Sequence, residues 1–313
     1  MKKFLIRLSI FLLILIALAM GADIFITKQF KKLEASPFAN WNDMYGGDIQ
    51  SDILIMGSSR AYVQFNPRIL DSALHINSYN LGMNGRAIES QVVKYHVYRH
   101  EGNPKPKLIL YELYQGSLDT SNGYDRIQFV PYLQDLYLWK EIRPVDHFTW
   151  ADAAIPMWRY RKYKPEIFEI IRGKSFYERA DQKVYKGFVD YDKPWDGKML
   201  ANLDTIHYGR VPSAINELKK FLGECKEEGI PVVFVIAPFY IGATQKIDDL
   251  PGMYKLFHEI ADPYGAPILD YTYHPLSYDT TYFYNASHLN RKGSTLFSLQ
   301  LAHDLDSLQL IHR

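Results

Sequence analysis

Five short runs, spaced along the chain with helical patterns between them, constrain this sequence more than any other feature. Ser51 to Met56 (S-D-I-L-I-M), Ser78 to Leu81, Lys107 to Leu113 (K-L-I-L-Y-E-L), Pro231 to Ala237 (P-V-V-F-V-I-A) and Ala266 to Leu269 are each too short for a core helix and read as buried strands. The segments between them carry helix signals. Asn66-Pro67 opens one helix, with Asn as cap and Pro at the first position. Arg86 to His100 places Ile88, Val92 and Tyr95 at helical spacing, and Ser213 reads as the cap of an amphipathic helix over Ala214 to Glu228 that Gly229 ends. Met253 to Ala261 and Arg291 to Leu308 complete the series. Strands and helices alternating in this way predict an α/β three-layer sandwich, a parallel sheet covered on both faces. In such sheets the ligand site lies at the carboxyl ends of the strands.

The amino terminus sets the compartment. Lys2, Lys3 and Arg7 precede an apolar run from Leu8 to Ile26, interrupted only by Ser9, Gly21 and Asp23. A cleaved signal peptide would use the small residues at Ala17-Leu18-Ala19, whereas an uncleaved anchor would reach Phe25 and Ile26. The apolar stretch runs on past the cleavage candidate, which favours the anchor. The positive flank stays on the cytoplasmic side, so the rest of the chain is expected outside, periplasmic or at the cell surface. The expected organisation is a membrane segment over 1–28, a juxtamembrane linker over 29–49 and one domain over 50–313.

Lysine and arginine number 36 against 35 acids, a net charge of +1 that gives no reason to expect nucleic acid as a partner. The one cysteine, Cys225, rules out an intrachain disulfide and a cysteine metal cluster, and nothing calls for a metal or another cofactor. From about 116 to 210 the alternation stops, over a stretch far longer than ordinary connections. This insertion holds Trp139, Trp150, Trp158, Trp195 and many tyrosines, too many for a linker. It is either a lid or substrate platform or a packing annex for its own aromatics.

Gly57-Ser58-Ser59-Arg60 sits where the first strand ends, so a serine hydroxyl there meets the ligand edge of the sheet. Glycine and two serines are also ordinary turn chemistry. Near the other end of the chain, Asn285-Ala286-Ser287-His288-Leu289-Asn290 precedes the last helix, where a histidine can reach back over the sheet edge. Serine needs such a base, because its free hydroxyl is a weak nucleophile. His258, His274 and His303 read as surface residues.

From Gln50 to Leu308, outside the insertion, the chain resembles the SGNH, or GDSL-like, hydrolase superfamily, whose sheet is flavodoxin-like. Gly57-Ser58-Ser59 resembles the first block, which implies Ser59 as nucleophile. Asn80-Leu81-Gly82-Met83-Asn84-Gly85 resembles the second block, which implies the Gly85 amide, with that of Ser59, as oxyanion donor. His288, followed by Leu289, Asn290 and Gly293, matches the last block. Two positions depart from the pattern. Asn285 stands three before His288, where an aspartate is usual; in a serine-protease triad that change costs about 10⁴ in turnover. Asp279 is the nearby acid that could compensate. After the third strand, Glu112-Leu113-Tyr114-Gln115 replaces the usual third block, leaving Gln115 as a substitute oxyanion donor; losing one donor costs about 10²–10³. Arg60 could hold an anionic substrate or pair with an acid on the sheet rim.

The resemblance implies a serine-dependent acyl-ester hydrolase or O-acyltransferase acting on an acylated carbohydrate of the cell envelope or a similar ester, with a membrane acyltransferase as a further candidate partner. The competing expectation is a non-catalytic envelope protein of the same fold that binds a glycan or a membrane partner.

Overall fold

The computed structural model describes residues 1–47, 49–85, 88–119, 125–172, 182–201 and 203–310. In chain order it runs α1 (Lys2–Phe30), α2 (Phe38–Gly46), β1 (Ile53–Met56), α3 (Ser59–Gln64), α4 (Pro67–Leu74), β2 (Ser78–Asn80), α5 (Ile88–His100) and β3 (Leu108–Glu112). There follow α6 (Leu136–Asp146), α7 (Trp150–Ala154), α8 (Lys164–Ile171), β4 (Gln182–Tyr185), β5 (Phe188–Tyr191) and α9 (Lys198–Ala201). The chain closes with α10 (Pro212–Glu227), β6 (Val232–Ile236), α11 (Ile241–Thr244), α12 (Leu250–Ala261), β7 (Ile268–Asp270), β8 (Phe283–Asn285), β9 (His288–Leu289) and α13 (Arg291–Ser307).

All five expected strands form, and they join into one parallel sheet in the order β2-β1-β3-β6-β7. Counted within the sheet this is 2-1-3-4-5, so the winding reverses between β1 and β3, the place where doubly wound sheets open a crevice. Both faces of the sheet are covered: β1, β2, β3 and β6 are buried at every position, and only the edge strand β7 is partly exposed. On one face Ile53, Ile55, Leu108, Leu110, Val233 and Val235 pack on Leu70 and Leu74 of α4 and on Phe297, Leu301 and Leu305 of α13. On the other, Tyr111 and Phe234 meet edge to face at 5.7 Å, and Phe221 of α10 bridges Tyr111 and Tyr95 of α5 at 5.8 and 5.2 Å.

Local chemistry explains where helices begin. Asn66 caps α4 by accepting from the Arg68 amide at 3.0 Å, with Pro67 at the first position. The helix expected behind Ser213 instead starts at Pro212, because proline has no amide to leave unsatisfied there, and Val211 takes the cap position. Likewise α12 starts at Leu250, three residues before the expected Met253, where Asp249 accepts from the Gly252 amide at 3.0 Å. Within the expected linker, α2 buries Phe38, Trp41 and Met44.

By compactness the chain divides into two units, Met1–Asn42 with Arg126–Arg179, and Asp43–Asp125 with Ala180–Arg313. The aromatic stretch between β3 and α10 contributes to both. The sheet belongs to the second unit. In the first, α1 is long and apolar enough to cross a membrane, and its apolar window is wholly exposed. Its last two turns are different: Asp23, Ile26, Thr27 and Phe30 are buried.

Two glycines report on how tightly the sheet unit is packed. A Cβ at Gly82, just after β2, would lie 2.6 Å from the backbone nitrogen of Tyr62 and 2.9 Å from its Cα, which α3 cannot yield. At Gly223, within α10, a Cβ would meet only Tyr264 at 3.8 Å. Gly82→Ala is therefore expected to destabilise by about 1–3 kcal/mol, and Gly223→Ala to stabilise by about 0.5–1 kcal/mol. Chemical denaturation of the two variants in detergent checks both signs.

Candidate active site

The site begins at the carboxyl end of β1. Gly57 has φ +137°, and a Cβ there would sit 2.7 Å from Glu112 Cβ and 3.0 Å from the Glu112 carbonyl oxygen, so glycine lets the chain turn directly against β3. Ser58 then caps α3, its Oγ accepting from the Arg60 amide at 3.2 Å. The same hydroxyl donates to Glu112 Oε2 at 2.8 Å, and the Ser58 amide donates to that oxygen at 3.2 Å. Ser58 is thus committed to the turn. Ser59, the first residue of α3, is half-buried, and its Oγ lies 2.8 Å from His288 Nε2.

His288 arrives on the short hairpin of β8 and β9, just ahead of α13, whose first turn Asn290 caps by accepting from the Gly293 amide at 3.1 Å. Its Nδ1 lies 3.0 Å from Asn285 Oδ1 and 2.9 Å from Ser287 Oγ. Asn285 Oδ1 also accepts from the Ser287 amide at 3.0 Å and from its hydroxyl at 3.2 Å. A backbone N–H can only donate, so the atom facing it is the carbonyl oxygen of the amide, and the imidazole must donate to it from Nδ1. That tautomer leaves the Nε2 lone pair facing the Ser59 hydroxyl. Tyr284 stacks on the imidazole at 5.3 Å with the rings 5° from parallel, and Tyr191 of β5 packs on Tyr284 at 5.1 Å. The β4–β5 hairpin thereby backs the histidine.

Burial, followed by the field of the Arg60 guanidinium, pushes the His288 imidazole down to about 3. The imidazole is neutral at pH 7, the form that can take up a proton, but it is only weakly basic. Asp279 does not offset this: its exposed carboxylate accepts from the Thr281 amide at 2.8 Å. Asn285 is therefore the group that orients His288.

Arg60, expected either to hold an anionic substrate or to pair with an acid, is 2 % exposed and pairs with an acid. Its Nε is 3.5 Å from Glu112 Oε1, its Nη2 donates to the carbonyls of Ala237 and Pro238, the latter at 3.1 Å, and Phe239 and Tyr114 lie over the guanidinium at 5.0 and 5.4 Å. Gln115 is likewise engaged elsewhere, since its Nε2 donates to the Tyr254 hydroxyl at 3.0 Å and that hydroxyl bonds Thr272.

The loop after β2 runs beside the serine turn. The Leu81 amide donates to the Ile55 carbonyl at 2.7 Å and the Met83 amide to that of Gly57 at 3.1 Å, while Asn80 Nδ2 donates to the carbonyls of Ala61 and Phe65 at 2.8 and 2.9 Å. Gly85, half-buried, follows at φ +122°, a backbone state that glycine adopts freely.

Glu112, Ser287 and Tyr284 complete the constellation and escape sequence reasoning. Glu112 carried a signal, an acid at the end of a central strand; Ser287 and Tyr284 carried none beyond adjacency to His288. Burial raises the Glu112 carboxyl above its ordinary value, against the pull of Arg60 and of the Ser58 bonds. Removing the carboxylate strands Arg60 in the core, so Glu112→Ala is expected to cost about 3–5 kcal/mol, measurable as a fall in the chemical-denaturation midpoint.

No family model matches the chain, and no curated protein matches it either, so the chemistry of the site stands on its own geometry.

Proposed function

We propose that the chain is a serine-dependent acyl-ester hydrolase or O-acyltransferase of the SGNH type, with a flavodoxin-like sheet as its frame. The observation that carries this is the Ser59–His288–Asn285 line: hydroxyl to Nε2 at 2.8 Å and Nδ1 to Oδ1 at 3.0 Å. Nucleophile, base and orienter are within hydrogen-bond reach of one another, in the order such catalysis needs.

In the proposed reaction Ser59 Oγ attacks the ester carbonyl as His288 Nε2 takes its proton. The oxyanion is held by the amides of Ser59 and Gly85. Collapse breaks the ester bond, and the leaving alkoxide receives the proton from His288. Water then attacks the acyl-serine with His288 again as base, giving acid and free Ser59; a sugar hydroxyl in place of water gives a transferase. The envelope setting rests on α1 as anchor, and an acylated carbohydrate is the substrate class that fits it.

A second reading, a non-catalytic envelope protein that binds a glycan or a membrane partner, is favoured by the depressed imidazole beside a neutral amide. A base held near 3 transfers protons inefficiently at neutral pH.

A fluorophosphonate probe separates the two. The full chain is expected to label, and Ser59→Ala to abolish labelling; failure of the folded wild type to label at any pH would sink the enzyme. The pH profile has a definite sign. Because the neutral imidazole is the active form and its value is lowered from 6.5 to about 3, labelling stays level as pH falls through 6.5 and is lost only at strongly acidic pH. An ordinary histidine would show an inflection near 6.5.

Asn285→Asp puts a carboxylate where three donors already converge, and it stabilises the imidazolium. Labelling is expected to rise by up to about 10⁴, the reverse of the loss seen on removing a triad aspartate, with the acid limb moving toward neutral pH. Rates unchanged in this variant would argue that the imidazole takes no proton.

A further inference from the structure

We propose that the unit built on α1 seats itself in the lipid interface through exposed aromatic and apolar side chains of the 126–172 segment. The inference rests on α1 as a membrane span and is independent of the chemistry at Ser59.

The apolar run of α1 from Leu8 to Ile26 spans about 28 Å at the helical rise, which matches a hydrocarbon core of about 30 Å. Asp23 therefore falls close to one end of the apolar span, where a bare carboxylate would be costly. It is not bare. Arg159 pairs with it, both side chains being 3 % exposed or less, and the Met157 amide donates to Asp23 Oδ2 at 2.7 Å. One turn further along, Thr27 Oγ1 accepts from Arg159 Nη2 at 3.0 Å and bonds the Tyr160 hydroxyl at 2.8 Å, and Phe30 stacks on Tyr160 at 5.6 Å. The turn Met157–Tyr160 is thus pinned to the depth of residues 23–27, at the boundary between hydrocarbon and headgroups.

What that turn carries outward is apolar. Trp158 is 44 % exposed and Ile155, just before it, 37 %. Arg161 ties the turn to α7 through Asp152 and lies over the Trp158 ring at 4.8 Å, and α7 starts at Trp150, 66 % exposed. Next, α8 packs against α1, buries no residue, and leaves Phe168 and Ile171 more than half exposed. Leaving these five side chains in water is unfavourable, because apolar surface gains free energy on moving into an apolar medium. Trp rings beside Arg at the end of a membrane helix are the side chains that prefer the headgroup region. The surface is continuous with the apolar helix itself, and that continuity selects lipid as its occupant.

Trp150 and Trp158 serve as the probes, because Trp41 is buried and Trp139 and Trp195 are half-buried. The full chain is reconstituted in phosphatidylcholine–phosphatidylglycerol vesicles with a spin label near the headgroup end of the acyl chain. The lipid-borne label is expected to quench part of the tryptophan emission, and the quenched part to fall to near zero in Trp150→Phe/Trp158→Phe. Equal quenching of wild type and double variant, in a chain that still resists alkaline carbonate extraction, would overturn the lipid seat while leaving the span intact. Release by carbonate would overturn both. Protection of the two rings from lipid-borne and aqueous quenchers alike in native membranes would give the surface to a protein partner and overturn the lipid seat too.

Discussion

The serine turn depends on a buried ion pair. Arg60 and Glu112 sit beneath it, and between them they touch the ends of three neighbouring strands: Arg60 leaves the turn after β1, Glu112 closes β3, and the guanidinium donates to the two carbonyls that follow β6. Buried pairs add little net stability, because desolvation offsets most of their attraction. Their effect is geometric. An apolar pair of equal volume would fill the space, but it could neither satisfy the Ala237 and Pro238 carbonyls nor receive the Ser58 hydroxyl and amide. With those bonds lost, the turn that aims Ser59 would keep its packing and lose its direction.

The arginine of the pair also acts on the histidine: after burial, its positive charge is what opposes the imidazolium of His288. In a triad the third residue would outweigh the remainder; here Asn285 fixes the tautomer and adds no charge. The site is therefore well ordered and weakly driven. Orientation comes from three donors converging on one amide oxygen, a local arrangement within four consecutive residues, so it costs the fold little to maintain.

Much of the sheet was legible in the sequence because buried parallel strands are short apolar runs, and the runs ending at Met56 and Leu113 bracket the strands that form. The pairing of Ser59 with His288 was legible for a related reason: both stand at the ends of periodic segments, and a parallel sheet brings such ends to one edge. Pairing of Arg60 with an acid was one of the two courses expected; its burial was not legible. A charge in a serine-rich turn looks exposed from sequence, and only the close approach of β1, β3 and β6 shows that three strand ends bury it. Gln115 is similar, since its partner Tyr254 lies 139 residues away on α12. The starts of α10 and α12 were missed by a few residues because proline at the first or second position competes with a nearby Ser or Met as the boundary signal.

Asp23 looked in the sequence like a flaw in an apolar run, and the fold gives it a purpose. Like Glu112, it is a carboxylate held by a single arginine from a distant part of the chain, and in each case the arginine is among the least exposed side chains of its unit. Apolar contacts are non-directional and tolerate sliding along a helix; a charge pair with an accompanying backbone N–H does not. Each pair therefore appears where position along an element matters more than adhesion: one fixes a hydroxyl at a sheet edge, the other fixes a turn at a given height on α1.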